Sequence, residues 1–212
     1  MRDAWNLIQG GLTWYTLLLV AGIGFSAIFW WKLTRDPTRR DARLFWVYVA
    51  GLFGAIVGAK LAFLFAAGWH VRGDMVALLS GKSITGGILG GYIAVEWAKK
   101  QNGYPRSTGD IFAITAPLGL AIGRVGCLLQ GCCAGIACEP QWWTAVDHHG
   151  THRWPAQSVE IGFHVVFLAW ALLAAKLNWT PQNRFHVFMI AYGMFRFANE
   201  FVREEPAMFG PI

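Results

Sequence analysis

Charge is what this sequence has least of. Only 14% of its 212 residues are Asp, Glu, Lys or Arg, against about a quarter in an ordinary soluble domain. With 55% hydrophobic residues and a mean hydropathy of +0.39, that shortage excludes a disordered chain and most cytosolic enzymes. Acidic residues are scarcer still, 12 against 18 basic ones, for a formal net charge of +6. In a soluble protein such an excess suggests nucleic acid. Here the basic residues sit in loops between apolar runs, which excludes an ordinary nucleic-acid-binding domain. Membrane orientation and anionic lipid are the better readings. Internal repeats and low-complexity tracts are lacking. No cationic leader with a small-residue cleavage site precedes the first apolar run, so no cleavable signal peptide is expected.

What is present is a series of long apolar runs. Leu12 to Trp31 is uncharged and long enough for a hydrocarbon core of about 30 Å. Phe45 to Trp69 contains only Lys60; Ile84 to Trp97 is short, glycine-rich and near the lower length limit for a span. Ile111 to Leu129 contains Arg124, Val159 to Leu177 contains Glu160, His164 and Lys176, and Phe185 to Val202 contains Arg196 and Glu200. The pattern predicts an all-α integral membrane protein, a bundle of about six transmembrane helices in a single domain over 1–212. Residues 131–158 form a small extracytoplasmic cap within it, carrying Trp142, Trp143, Asp147, His148, His149 and His152.

Loop charge sets the orientation. Lys32, Arg35, Arg39, Arg40 and Arg43 follow the first run, Lys99, Lys100 and Arg106 the third, and Lys176 and Arg184 the fifth. The opposite side holds mainly Arg72, Lys82 and Arg153. Both termini are therefore predicted outside the cytoplasm. Trp30, Trp31, Trp46, Trp69, Trp97 and Trp179 sit near the run borders, where amphipathic rings favour the interface.

Charges at bilayer depth cost a few kcal/mol each on insertion scales (about 2.5–3.5), so Arg124, Arg196 and Glu200 need partners or water. Arg196, Glu200 and Arg203 share one helix face. They suit either a structural Arg–Glu pair or a guanidinium cluster that grips phosphate through its planar fork; in a membrane the available phosphate is a lipid headgroup. Glycines recur at small-xxx-small spacing: Gly54 with Gly58, Gly86 with Gly90, Gly87 with Gly91, and Gly119 with Gly123. Close helix packing explains most of them, while Gly86 and Gly87 also offer backbone N–H groups to an anion. Cys127, Cys132, Cys133 and Cys138 cluster on the outer side. A disulfide, a reactive thiol at Cys127 one turn from Arg124, and metal binding with the loop histidines all remain open, although the spacing is not a standard zinc one. His164 and His186 read first as satisfied core histidines, and His70 as interfacial.

Taken in order, these segments resemble the bacterial prolipoprotein diacylglyceryl transferases over nearly the whole chain. Leu12-Thr-Trp-Tyr15 is similar to that family's first-helix motif, and Gly58-Ala-Lys-Leu to its second-helix motif. Thr85-Gly-Gly-Ile-Leu-Gly-Gly91 resembles its His-Gly-Gly-Leu-Ile-Gly segment. Asp110-Ile-Phe-Ala, Ala116-Pro-Leu-Gly-Leu and Ile122-Gly-Arg-Val-Gly126 resemble its signature stretch. Trp154-Pro-Ala-Gln-Ser-Val-Glu160 is similar to His-Pro-Ser-Gln-Leu-Tyr-Glu, and Phe195-Arg-Phe-Ala-Asn-Glu-Phe-Val-Arg203 to the family's closing motif.

The resemblance implies transfer of the diacylglyceryl group of phosphatidylglycerol to the thiol of a lipobox cysteine, at the outer face of the bacterial cytoplasmic membrane. It implies no metal and no organic cofactor. The residues it implies for catalysis are Arg124 and Arg196, with Glu200 orienting an arginine; Cys127 stands beside them as a candidate thiol on its own chemistry. For substrate binding it implies Tyr15, Thr85, Gly86, Gly87, Asp110 and Arg203. The implied partners are a membrane phospholipid and a prolipoprotein or another thiol acceptor, with no nucleic acid. The chain departs from the family pattern at Thr85, Cys127 and Cys132, which stand where the family has His, Asn and Glu, and it ends at Gly210-Pro-Ile212 where the family has a further helix. A threonine hydroxyl is no general base near neutral pH. Two further readings therefore stand beside lipobox transfer: a transferase on the same fold whose cysteine pocket serves another acceptor or reaction, and a non-catalytic lipid-binding membrane protein.

Overall fold

A computed structural model describes residues 2–35, 41–66, 81–147 and 149–203, together with 68, 73, 75 and 78; for 2–16 and 19 the backbone alone is described. His70, Trp69, Arg72, Arg39, Arg40, His148 and the closing 210–212 lie outside the described residues, as does the side chain of Tyr15.

Each apolar run folds as a helix. The helices are α1 (Arg2–Thr34), α2 (Arg43–Ala66), α3 (Ile84–Gln101), α4 (Gly109–Gln130), α5 (Ala156–Lys176) and α6 (Arg184–Glu200). Helix α1 starts ten residues before the apolar run does, since no proline interrupts the leading segment. By length and composition α2, α4 and α5 are each able to cross a membrane, and Val20–Thr34 is a shorter apolar stretch. The surface is inverted relative to a soluble protein: Phe53 is 68% exposed, while Glu160 and His164 are fully buried.

Where the sequence suggests one domain, the chain divides into two compact units. In one, α2 and α3 pack on glycine. A Cβ added at Gly58 would lie 2.4 Å from the Gly86 carbonyl oxygen, and one at Gly54 would lie 2.6 Å from that of Gly90. Residue numbers rise along one helix as they fall along the other, so the pair is antiparallel. The short third run is thus a continuous helix held at backbone contact distance. Lys60, the lone charge of the Phe45–Trp69 run, donates to the Leu78 carbonyl and, at 3.4 Å, to that of Gly81. Arg43 at the start of α2 donates to the Gly103 carbonyl at 2.9 Å.

The other unit holds α1, α4, α5, α6 and the cap. Trp30 of α1 meets Phe112 of α4 with ring centroids 4.7 Å apart. The Gly119–Gly123 spacing does not repeat the tight contact: a Cβ at Gly123 would meet nothing within 4 Å. Helices α5 and α6 join through aromatic rings, Phe163 on Phe195 at 4.5 Å and Phe167 on Phe188 at 5.0 Å.

The cap contains a two-residue hairpin, β1 (Ala145–Val146) paired antiparallel with β2 (His152–Arg153). Asp147 closes its turn, accepting from the backbone N–H groups of His149 (2.8 Å) and Thr151 (2.9 Å) and pairing with Arg153 at 2.5 Å. Bridges from Gly135 to Arg203 and from Ala137 to Arg153 lay the segment after α4 between the hairpin and the end of α6. The cap thereby brings Arg203 toward the C-terminal end of α4.

Candidate functional site at the C-terminal end of α4

Arg124 is 5% exposed and has its last apolar turn above it. A lone guanidinium there would be prohibitive, and the structure answers it with Glu160 of α5, the two side chains paired at 2.8 Å. Tyr192 of α6 donates its hydroxyl to Glu160 Oε1 at 2.8 Å. Three helices thus fix one carboxylate, and that carboxylate fixes Arg124. The pairing is incomplete: Arg124 Nε has no hydrogen-bond partner among the described residues.

Arg196 pairs with Glu200 at 3.0 Å, one turn apart on α6. The structural Arg–Glu pair that the spacing allowed is therefore formed. Arg203 is 8% exposed. Burial first, then the nearby Arg196 and Arg124 guanidinium groups, push its pKa down. Arg124, Arg196 and Arg203 thus share one neighbourhood, with Glu160 paired to Arg124 and Glu200 to Arg196.

The thiols join this cluster through the way α4 ends. Gly131 takes φ +68, the left-handed conformation glycine adopts without strain. Its N–H reaches the Leu128 carbonyl at 3.2 Å, and the Cys132 N–H reaches that of Cys127 at 3.1 Å. This Schellman closure folds Cys132 back over Cys127. Gln157 of α5 fixes the turn by donating to the Cys132 carbonyl at 2.7 Å. Cys133 also lies in the left-handed region, at φ +63. As a result the sulfurs of Cys127, Cys132 and Cys133 all lie within 4.8 Å of one another. Hydrogen bonds from Cys127 and Cys132, then the Arg124 and Arg203 charges, pull the Cys133 thiol below its ordinary pKa.

The structure bears on the other site residues as well. Cys127, Cys132, Cys133 and Cys138 carry free thiols in it, and Cys138 stands apart because its backbone is paired with His152 in the cap. His152 is engaged with Thr144 at 2.8 Å and does not join the thiols. Asp110 lies in the first turn of α4, about 21 Å along the axis from Arg124 at about 1.5 Å per residue. It is spent on Arg184 at 2.8 Å and on the Gln182 N–H at 3.0 Å. Thr85, Gly86 and Gly87 belong to the other unit. Thr85 shares a hydrogen bond with Ser83, the Gly86 N–H is capped by Ser83 Oγ at 3.3 Å, and the Gly87 N–H binds the Ser83 carbonyl. The Gly86 and Gly87 backbone donors are thus both engaged with Ser83.

Two residues of the cluster escaped the sequence reading. Glu160 was visible as a charge inside a run but was not assigned to Arg124. His164 is buried, as a core histidine would be, yet it is not satisfied. Its Nε2 lies 3.9 Å from Glu160 Oε1, too far for a hydrogen bond, and neither ring nitrogen has a hydrogen-bond partner among the described residues. The Glu160–His164 spacing of four within one helix was the available signal.

The family model for prolipoprotein diacylglyceryl transferase matches residues 3–212. A phosphatidylglycerol–prolipoprotein diacylglyceryl transferase of Ectopseudomonas mendocina is 29% identical, over 93% of this chain and 78% of its own length. The enzyme of that name from Rhodospirillum rubrum is 28% identical over 94% and 78%, and that of Agrobacterium fabrum 29% identical over 93% and 77%.

Proposed function

Because the chain belongs to the prolipoprotein diacylglyceryl transferase family, a family of bacterial inner-membrane enzymes, we propose that it binds an anionic, phosphatidylglycerol-like glycerophospholipid and transfers the diacylglyceryl group to a thiol acceptor. In the simplest case the acceptor is the lipobox cysteine of a prolipoprotein, presented at the outer membrane face, with the six helices crossing the bilayer and both termini outside. The relatives' names carry the same two substrates.

One observation carries the proposal: Arg124 is held rigid in an apolar bundle by Glu160, keeps an unpartnered Nε, and shares its neighbourhood with Arg196 and Arg203. A preorganised positive cluster in a low-dielectric site stabilises the charge that gathers on a departing phosphate. The acceptor thiolate attacks the glyceryl carbon that carries the phosphate. A carbon–sulfur bond forms, the carbon–oxygen bond breaks, glycerol phosphate leaves with the electron pair, and the thiol proton passes to solvent or phosphate. Arg124 and Arg196 hold the leaving group, and Glu160 and Glu200 position them. Tyr15 and Arg203 contact lipid.

Thr85, where the resemblance would place a histidine base, together with the thiols at positions 127 and 132, supports a second reading: the same transfer directed to a different acceptor. Incubation in phosphatidylglycerol vesicles with a lipobox peptide, followed by mass analysis of the peptide and of released glycerol phosphate, separates the two. A peptide gain of one diacylglyceryl group supports the first. Glycerol phosphate release without peptide modification supports the second, and neither product overturns both. Thr85→His is expected to raise lipobox transfer if a missing base limits the chain.

A further inference from the structure

The three sulfurs at the end of α4 are not needed to hold a phospholipid, and their arrangement suits a different ligand. The geometry points to a metal site in which Cys127, Cys132 and Cys133 together bind one soft, closed-shell cation such as Cu(I) through three thiolates. Three sulfurs each about 2.3 Å from a shared ion lie about 4 Å apart in a trigonal arrangement. The observed sulfurs are already within 4.8 Å of one another, so closure requires movements of under about 1 Å. The backbone is committed to this convergence by the Schellman turn at Gly131, the Gln157 anchor on the Cys132 carbonyl and the left-handed Cys133.

Ligand type and charge select the ion. Thiolates prefer soft cations, whereas hard ones take oxygen. No histidine or carboxylate completes the group among the described residues, which favours an ion content with three ligands over one that requires four. Three thiolates around a monovalent ion carry two negative charges. Arg124 and Arg203 lie close enough to Cys133 to attract that charge, and Arg124 Nε is buried without a hydrogen-bond partner. On binding, the three thiols release three protons and no electron is transferred, so no oxidant or reductant is required.

The test uses the full-length protein, purified in detergent under reducing, oxygen-free conditions and stripped of metal. It is titrated with Cu(I) against a chromophoric Cu(I) chelator and, separately, with Zn(II). One equivalent of either ion bound, with X-ray absorption showing three sulfur ligands at about 2.3 Å, supports the site, and the tighter of the two names the ion. Cys127→Ser, Cys132→Ser and Cys133→Ser are each expected to weaken binding by 10- to 100-fold or more. Cys138→Ser is expected to bind as the wild type does. Helicity and unfolding midpoint are followed in each variant, and the absorption measurement on wild-type protein needs no variant. Failure to bind either ion, a ligand shell without three sulfurs, or undiminished binding by the triple serine variant overturns the proposal.

Discussion

The two ends of α4 each carry a buried arginine paired with a carboxylate at 2.8 Å, and they differ in what is left over. At the N-terminal end Asp110 holds Arg184. That guanidinium spends its remaining donors on the Trp179 carbonyl (Nε, 3.0 Å) and the Ala174 carbonyl (Nη2, 3.2 Å). The acid accepts two backbone N–H groups besides. At the C-terminal end Glu160 holds Arg124, but Arg124 Nε and both His164 nitrogens are buried without hydrogen-bond partners among the described residues. An unsatisfied buried donor costs about 1–3 kcal/mol. The Arg184 pair, with every guanidinium nitrogen engaged, works as a strut, whereas the Arg124 pair leaves a donor that the proposed lipid phosphate would meet.

The largest expected effect would break the comparison from the structural side. Arg184→Ala strands Asp110 and two carbonyls in a buried corner, and removal of one partner of such a pair costs about 3–5 kcal/mol. Chemical unfolding in detergent is expected to show that loss, while turnover per folded molecule stays near wild type. A fall in turnover without a fall in stability would place a substrate at the Asp110 end.

Next comes Arg124→Lys, which keeps a charge opposite Glu160 but loses the planar fork. Its unfolding midpoint is expected to move little and its release of glycerol phosphate to fall by about 100- to 1000-fold, the usual effect of deleting one preorganised donor. Wild-type turnover in this variant would mean that the leftover donor at Arg124 is not used by the reaction.

These two ends were not equally legible in the sequence. The helices could be read from run length, because a membrane demands continuous apolar segments, and Arg124 stood out because a charge inside such a run is expensive. Asp110 carried no such mark. Its partner Arg184 lies 74 residues away on another helix, so the ion pair it makes could not be read from the stretch whose motif resemblance implied substrate binding. Cys132 and Cys133 could be read as neighbours of Cys127 only through the turn chemistry of Gly131, since a left-handed residue after the helix reverses the chain onto its last turn. Glu160 and His164 were visible one turn apart, but the pairing of Glu160 with Arg124 depends on how α5 packs against α4.

The glycine-packed pair offers the apolar form of the same distinction. Gly58→Ala drives a methyl group to 2.4 Å from the Gly86 oxygen, and overpacking of this kind costs about 1–3 kcal/mol. Gly193→Ala in α6 meets nothing within 4 Å and gains up to about 1 kcal/mol of helix propensity. Opposite signs in unfolding measurements on the two variants are expected. Equal effects would mean that α2 and α3 have room to part.

The smallest effect is at the surface, where Asp147 and Arg153 repeat the carboxylate–arginine pairing in reach of water. The hydrogen bond from Arg153, with the backbone N–H groups of Thr151 and His149, holds the Asp147 carboxyl at about 2, below its usual 3.8. A depressed folded-state pKa means that the ionised form favours the folded cap. Its contribution is fully present above the unfolded value of 3.8 and is lost as the pH falls toward about 2. Protection of the His149 and Thr151 amides from hydrogen exchange should therefore exceed that of Asp147→Asn at pH 6 and converge with it near pH 2. Added salt should narrow the gap at pH 6, because a pair open to solvent is screened, whereas the Arg124–Glu160 pair is shielded by its burial. A gap that ignores both pH and salt would locate the stabilisation in the turn's backbone and not in the charge.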